Sequence, residues 1–213
     1  MAYDLYVITD EEVGRGLSHA EIARRAVAGG ADVIQLRDKG LSGRDLFIAA
    51  TAIREITLDA GALFIVNDRL DVALAAGADG VHLGADDLPI ECARKIAPPG
   101  FIIGASVDSL DSAIRAQAAG ADYVALSPTF PTTSKDDAGP GHGLAVLSAI
   151  RSRVSVPIVT IGGISRENVD SVIAAGADGV AVISAVVGEP DITAAARDMR
   201  ARIAAAKTGA RGW

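Results

Sequence analysis

Gly-Ala-Asp occurs four times in the sequence, at residues 30–32, 77–79, 120–122 and 176–178. Each copy follows an alanine-rich amphipathic stretch and precedes a run rich in β-branched residues. The glycine supplies the left-handed residue that closes a helix, and the apolar run is typical of a strand buried on both faces. The repeat therefore predicts a recurring passage from helix to strand.

The same cues, followed outward from the four copies, predict eight strands. The predicted strands are 5–8, 33–36, 63–66, 80–83, 101–105, 123–126, 158–161 and 179–183. Amphipathic segments between them include 19–28, 44–60, 69–76, 109–119, 144–153 and 166–175. Eight alternations favour a closed parallel barrel over a doubly wound sheet. The predicted fold class is α/β, a single (β/α)8 TIM barrel over residues 1–206, with residues 207–213 as a disordered tail.

The composition excludes several classes of function. The net charge of -7 at pH 7 argues against nonspecific binding to nucleic acid or to an anionic membrane, because both require a basic surface. The one cysteine, Cys92, excludes an internal disulfide and a cysteine-based zinc cluster. The N-terminus lacks the pattern of a signal peptide, and no apolar run approaches the roughly 18 residues of a membrane span. We expect a cytoplasmic protein with small-molecule partners, and a homo-oligomer stays open.

In a barrel of this kind the chemistry lies in the loops that follow the strands. Gln35-Leu36-Arg37-Asp38-Lys39 follows the second strand. Alternation places Gln35, Arg37 and Lys39 on one side and Leu36 on the other, so an amide and two cations point together. This cluster predicts an anion site. The alternative is a surface pair of Arg37 with Asp38.

Two carboxylates follow the third and fourth strands. Asp68 comes after Val66-Asn67, and Asp87 comes after His82-Leu83-Gly84. Carboxylate oxygens are the protein ligands that Mg2+ prefers, with substrate phosphate and water completing its coordination. Asp68 and Asp87 are therefore the predicted metal ligands. Taken singly, Asp68 could instead cap a helix and Asp87 could occupy a turn.

The remaining strand ends carry hydroxyls, a lysine and glycines. Ser106 follows the fifth strand, where it could contact a substrate or cap a helix. After the sixth strand come Thr132, Thr133, Ser134 and Lys135, a loop that could wrap phosphate or remain merely solvated. Gly162 and Gly163 follow the seventh strand and Ser184 follows the eighth, where barrels often bind phosphate. These positions predict two anion sites, a cationic one suited to diphosphate and a neutral one suited to monophosphate.

Seven motifs, in this order, resemble those of the thiamine-phosphate synthase family, over residues 6–204. They are Gln35-Leu36-Arg37-Asp38-Lys39, Val66-Asn67-Asp68, His82-Leu83-Gly84 with Asp87, Gly104-Ala105-Ser106, Pro131-Thr132-Thr133-Ser134-Lys135, Ile161-Gly162-Gly163-Ile164 and Ile183-Ser184. The resemblance implies a (β/α)8 barrel that couples hydroxymethylpyrimidine diphosphate to hydroxyethylthiazole phosphate, with Mg2+ as cofactor. Thiamine phosphate and diphosphate would be the products.

The resemblance also implies roles for individual residues. Arg37, Lys39 and Lys135 would be catalytic, and Asp68 and Asp87 would hold Mg2+. The pyrimidine diphosphate would contact Gln35, Leu36, Arg37, Asp38, Lys39, Asn67, Ser106 and Lys135. The thiazole phosphate would contact Thr132, Thr133, Ser134, Gly162, Gly163, Ile183 and Ser184. Ala85 departs from the family, which often has glutamine there, and removes a polar contact beside the expected metal site.

Two other functions compete with this interpretation. Thiazole tautomerases share the barrel and the phosphate site but need an acid or base, for which only His82 and His142 are candidates here. A noncatalytic phosphate-ligand-binding paralogue would be expected to have lost the metal carboxylates or the lysines. Lys39, Asp68 and Asp87 are all present, which favours the diphosphate chemistry.

Overall fold

The computed structural model of the protein describes residues 3–131 and 141–210, with only the backbone of residue 210. Within these residues, eight parallel strands pair in chain order and the eighth pairs with the first, which closes the barrel. The predicted (β/α)8 fold class is therefore confirmed. In the described part of the chain, no helix combines the length and the apolar character needed to cross a membrane.

The strands and helices alternate along the chain. The strands are β1 (Leu5–Thr9), β2 (Val33–Leu36), β3 (Leu63–Asn67), β4 (Gly80–Leu83), β5 (Ile102–Val107), β6 (Tyr123–Leu126), β7 (Ile158–Ile161) and β8 (Gly179–Val182). The helices are α1 (His19–Ala28), α2 (Gly43–Ala60), α3 (Leu70–Ala75), α4 (Ile90–Ile96), α5 (Leu110–Ala118), α6 (Gly143–Arg151), α7 (Val169–Ala174), α8 (Ser184–Val187) and α9 (Ile192–Ala210).

The C-terminal segment corrects one prediction. Residues 207–210 belong to helix α9 and are not a loose tail. The Lys207 ammonium donates to a carboxylate oxygen of Asp4 and to the backbone carbonyl of Asp178, so it ties the end of this helix to the start of the barrel. The prediction failed because the alanine-rich end of the helix has no apolar periodicity, and these two contacts come from distant parts of the chain. Residues 211–213 lie outside the described residues.

Apolar side chains pack on both sides of the barrel wall. The larger cluster lies between the strands and the surrounding helices, and it includes Leu36, Phe64 and Leu126. The smaller cluster fills the barrel interior and includes Tyr6, Tyr123 and other inward-facing residues. Successive strand residues alternate between these two clusters, because side chains in a strand point to opposite faces.

The aspartate of each Gly-Ala-Asp copy joins two neighbouring strands. It directly precedes an even-numbered strand, and one of its carboxylate oxygens accepts a hydrogen bond from a backbone N–H of the preceding odd-numbered strand, at 2.7–2.9 Å. An arginine from a surrounding helix also binds each carboxylate. The four sets are Asp32 with Leu5 and Arg200, Asp79 with Phe64 and Arg54, Asp122 with Ile103 and Arg94, and Asp178 with Ile158 and Arg151. The repeat therefore stabilises the N-terminal face of the barrel, opposite the face where this fold carries its active sites.

Candidate active site

A cavity of about 440 Å3 opens at the C-terminal ends of the strands. Seven of the residues proposed from the sequence line it together, although they come from four different strand ends. They are Gln35, Arg37, Lys39, Asn67, Asp68, Asp87 and Ser106. The barrel therefore brings two amides, two cations, two carboxylates and a hydroxyl to one place.

The two carboxylates at this cavity lie within hydrogen-bonding reach of one another. Burial, followed by the neighbouring Asp87, raises the pKa of Asp68 to about 6, while the charges of Lys39 and Arg37 act in the opposite direction. The Asp87 carboxylate also accepts a hydrogen bond from the Gly84 N–H at 2.7 Å. Two adjacent carboxylates repel each other unless they share a proton or a cation.

This donor set fits Mg2+. Asp68 and Asp87 would supply hard oxygen ligands, and Mg2+ usually binds one or two protein carboxylates together with substrate phosphates and waters. Among residues 3–131 and 141–210, no group of three or more His, Cys, Asp or Glu residues is arranged to hold a metal ion.

Asp68 adopts a backbone conformation that is unusual for a residue with a side chain. Its φ is 62°, in the left-handed region, and its N–H donates to the carbonyl of His82 at 2.8 Å. The hydrogen bond anchors the end of β3 to the neighbouring strand β4. Aspartate tolerates the left-handed region better than most residues, but the conformation still costs free energy.

The side chains of Asp38 and Leu36 do not line the cavity, and their proposed contacts with the substrate stay predictions. Leu36 packs in the apolar layer between the strands and the helices. Asp38 accepts hydrogen bonds from the N–H groups of Gly40 and Leu41 at 2.7 and 2.9 Å, and it contacts the ring of His19 at 3.2 Å. Asp38 therefore shapes the loop that carries Lys39. Alternation already places Asp38 on the side of Leu36, but its hydrogen bonds depend on how the loop beyond β2 folds.

A smaller pocket adjoins the main cavity at the ends of β7 and β8. Its lining includes Gly162, Gly163, Ile183 and Ser184, all four of which were proposed for phosphate binding. Gly162 and Gly163 have φ values of 96° and 63°, in the left-handed region that favours glycine. A Cβ at either position would lie 2.7 Å from an atom of the segment that follows β6. The glycines therefore allow that segment to pack closely against the loop that follows β7.

Thr132, Thr133, Ser134 and Lys135 lie outside the described residues. Their proposed contacts with the phosphates therefore stay predictions.

Several residues that line the main cavity were not proposed from the sequence, and two of them are buried tyrosines. Tyr6 and Tyr123 lie in the barrel interior, and both line the floor of the main cavity. Tyr6 forms part of the strand that the sequence did predict, two residues from Ile8, which also faces the interior. Alternation along that strand could have identified its direction, but the contact of Tyr6 with Tyr123 depends on strands that are far apart in the sequence.

Comparisons with known proteins match most of the chain to one family. The sequence model of the thiamine monophosphate synthase family matches residues 5–186. The chain is 74% identical over 211 residues to a thiamine-phosphate synthase of Methanoculleus marisnigri, covering 99% of this chain and 100% of the relative. It is 64% identical over 207 residues to one of Methanoregula boonei, covering 97% and 96%.

A solved structure shows the same architecture. Thiamine phosphate pyrophosphorylase from Pyrococcus furiosus superposes with a TM-score of 0.89 at 44% sequence identity, over 96% of each chain. The resemblance seen in the motifs therefore extends over nearly the whole chain and its fold. The chain belongs to the thiamine monophosphate synthase family.

Proposed function

We propose that this protein is a thiamine-phosphate synthase that condenses hydroxymethylpyrimidine diphosphate with hydroxyethylthiazole phosphate, in a reaction that depends on Mg2+. The products would be thiamine phosphate and diphosphate. One observation carries the proposal: Asp68 and Asp87 lie together beside Arg37 and Lys39, and their cavity adjoins a glycine-lined pocket. A cationic site and a neutral site of this kind suit a diphosphate and a monophosphate respectively.

The cationic site would stabilise the leaving group. In the proposed step the C–O bond between the pyrimidine methylene and the diphosphate breaks, and its electron pair leaves with the diphosphate. Arg37 and Lys39 would stabilise that growing negative charge, and Lys135 is proposed to join them. When bound to Asp68 and Asp87, Mg2+ would supply further positive charge to the diphosphate oxygens.

The second substrate would complete the reaction without a nucleophile from the protein. The lone pair of the thiazole nitrogen forms the new C–N bond to the pyrimidine methylene carbon, which has become electron-poor. Ser184, Ile183 and the backbone of Gly162 and Gly163 are proposed to hold the thiazole phosphate beside it, with Thr132, Thr133 and Ser134. The task of the protein is then to align the two substrates and to stabilise charge.

Incubation of the protein with both phosphorylated substrates, with and without Mg2+, tests this proposal. Mass spectrometry should detect thiamine phosphate, and free diphosphate should appear in equal amount, only when Mg2+ is present. An isomerised thiazole without diphosphate release would indicate a tautomerase instead. Binding of both substrates with no product would indicate a noncatalytic paralogue, and either outcome would overturn the proposal.

A further inference from the structure

A chain of hydrogen bonds crosses the barrel interior below the cavity. Gln35 Nε2 donates to Tyr6 Oη at 2.7 Å, and Tyr6 Oη lies 2.9 Å from Tyr123 Oη. Tyr123 Oη lies 2.9 Å from His82 Nδ1, and His82 Nε2 lies 2.9 Å from Ser106 Oγ. We call these five residues the relay. It connects one cavity-lining side chain, Gln35, to another, Ser106.

The three central residues of the relay are deeply buried. Tyr6 is 1% exposed, Tyr123 is fully buried and His82 is 8% exposed. The ring of Tyr123 packs against both neighbours, with centroids 6.1 Å from Tyr6 and 5.6 Å from His82. A polar group that is buried without a hydrogen bond costs free energy, so each hydroxyl here is held to its partners.

Gly104 makes room for this packing. A Cβ at this position would lie 2.1 Å from Cζ of Tyr123, closer than any real contact. Gly104, two residues before Ser106, therefore allows the Tyr123 ring to lie directly against strand β5.

One direction of the hydrogen bonds gives every hydroxyl of the relay both a donor and an acceptor. Tyr6 Oη accepts a hydrogen bond from Gln35, so its own O–H can donate a hydrogen bond to Tyr123 Oη. Tyr123 in turn can donate its proton to His82 Nδ1, which makes Nε2 the protonated nitrogen that donates to Ser106. Burial raises the pKa of both phenols, which keeps them protonated and able to donate. In this order every hydroxyl accepts one hydrogen bond and donates one.

We infer that Tyr6, Tyr123 and His82 are positioning residues that hold the Ser106 hydroxyl as a hydrogen-bond donor to the bound substrate. Because Ser106 Oγ accepts from His82, its own proton is directed towards the cavity. The substrate atom facing Ser106 must then be an acceptor. The identity of that substrate rests on the proposed function, in which Ser106 contacts the pyrimidine diphosphate, but the direction of the relay does not.

The direction can be measured in the protein without substrate. Nitrogen-15 NMR distinguishes a protonated imidazole nitrogen from an unprotonated one, and a His82→Gln variant identifies which of the three histidine signals is that of His82. We expect Nδ1 of His82 to be unprotonated and Nε2 to carry the proton. In Tyr123→Phe, which lacks the donor to Nδ1, the two neutral forms should become mixed. A proton on Nδ1 in the unmodified protein would overturn the inference.

Kinetics provide a second test, with a matched control. Tyr123→Phe should lower kcat/KM for the pyrimidine diphosphate about tenfold, the scale of one hydrogen bond, and leave KM for the thiazole phosphate unchanged. Tyr3→Phe is the control, because the Tyr3 ring packs 5.0 Å from the Tyr123 ring and lies outside the relay.

The outcomes of the two tests separate the relay from the proposed reaction. If Tyr123→Phe behaves like Tyr3→Phe, or weakens both substrates equally, Tyr123 has only a packing role and the inference is wrong. If the unmodified protein makes no thiamine phosphate, the proposed function fails, and the NMR measurement still decides the direction of the relay.

Discussion

Asp68 combines two features that cost stability at a single residue. Its backbone lies in the left-handed region, and its carboxylate is half-buried beside that of Asp87. Such costs persist in proteins where the surrounding structure enforces them, and they are frequent at functional sites. The position of Asp68 at the cavity, next to two cations, is consistent with this pattern.

The pKa of Asp68 predicts how stability depends on pH in the metal-free protein. A folded-state value of about 6, above the ordinary 3.8, means that the folded protein holds this proton more tightly than the unfolded chain. The stabilisation that the folded protein gains from this proton is therefore fully present below about pH 4. It is lost as pH rises through about 6. We expect Asp68→Asn to remove this pH dependence. From pH 4 to pH 8, the free energy of unfolding of the variant should therefore rise by about 1 kcal/mol relative to that of the unmodified protein, after allowance for solvent screening.

Urea unfolding in the presence of a chelator, at both pH values, measures this difference. Added Mg2+ should stabilise the unmodified protein at pH 8 and leave Asp68→Asn nearly unaffected. If the stability of the two proteins depended equally on pH, the proposed repulsion between Asp68 and Asp87 would be contradicted.

The same substitution should have the opposite effect on catalysis. Asp68→Asn and Lys135→Ala should each lower kcat at least about a hundredfold, the scale of losing one electrostatic stabiliser of the leaving group. Asp71→Asn is a control for the first variant, because Asp71 is exposed on helix α3 and pairs with Arg69. Steady-state kinetics at saturating Mg2+ provide the measurement, and near-normal turnover of the two variants would contradict their proposed roles.

At the scale of elements, the Gly-Ala-Asp copies have a role that the sequence did not reveal. Asp79 accepts from the Phe64 N–H at 2.7 Å and from Arg54 at 2.8 Å, and so joins β3, α2 and the start of β4. The other three aspartates make equivalent connections. The repeated tripeptide therefore joins each odd-numbered strand to the next strand by a hydrogen bond, on the face opposite the cavity.

Loss of one such connection should lower stability without changing catalysis. Asp79→Ala leaves the Phe64 N–H without its acceptor, at a cost of about 1–3 kcal/mol. Asp71→Ala, which breaks an exposed ion pair, should cost less than about 1 kcal/mol. Chemical unfolding measures both, and KM for each substrate should stay unchanged. A shift in KM for Asp79→Ala would show that this face is coupled to the cavity.

At the scale of the whole molecule, helix α9 connects the end of the chain to its beginning. Lys207 binds the Asp4 carboxylate, and Arg200 of the same helix binds both Asp4 and Asp32. Residues 4 and 207 are far apart in the sequence but meet on the N-terminal face of the barrel. The helix therefore belongs to the folded barrel almost to its end.

Truncation of the chain tests this role of α9. A chain that ends at residue 206 loses the Lys207 contacts and should be less stable by about 1 kcal/mol, since these groups are partly buried. A chain that ends at residue 210 retains them and serves as the control. The thermal midpoint of each truncated protein gives the comparison, and equal midpoints would mean that the Lys207 contacts contribute little.

The fold could be predicted from local patterns, but the details of the site could not. Strands β2, β4, β6 and β7 have the predicted bounds, because short apolar runs that begin after aspartate or proline define a strand within a few residues. The hydrogen bonds of Asp38 with Gly40, Leu41 and His19 could not be predicted, because they depend on how the loop folds. Alternation ends where the strand ends, and loop side chains follow their hydrogen bonds instead.

The sequence by itself determined the alternation of strands and helices, and hence which residues occupy the strand ends. Only the tertiary structure decided which of those residues meet. Tyr6 and Tyr123 are separated by 117 positions and come within 2.9 Å, and their contact requires the closed barrel. Periodicity is a local property of the chain, whereas a hydrogen bond depends on placing two groups within a few tenths of an ångström. That precision comes from the packing of all eight strands around one interior.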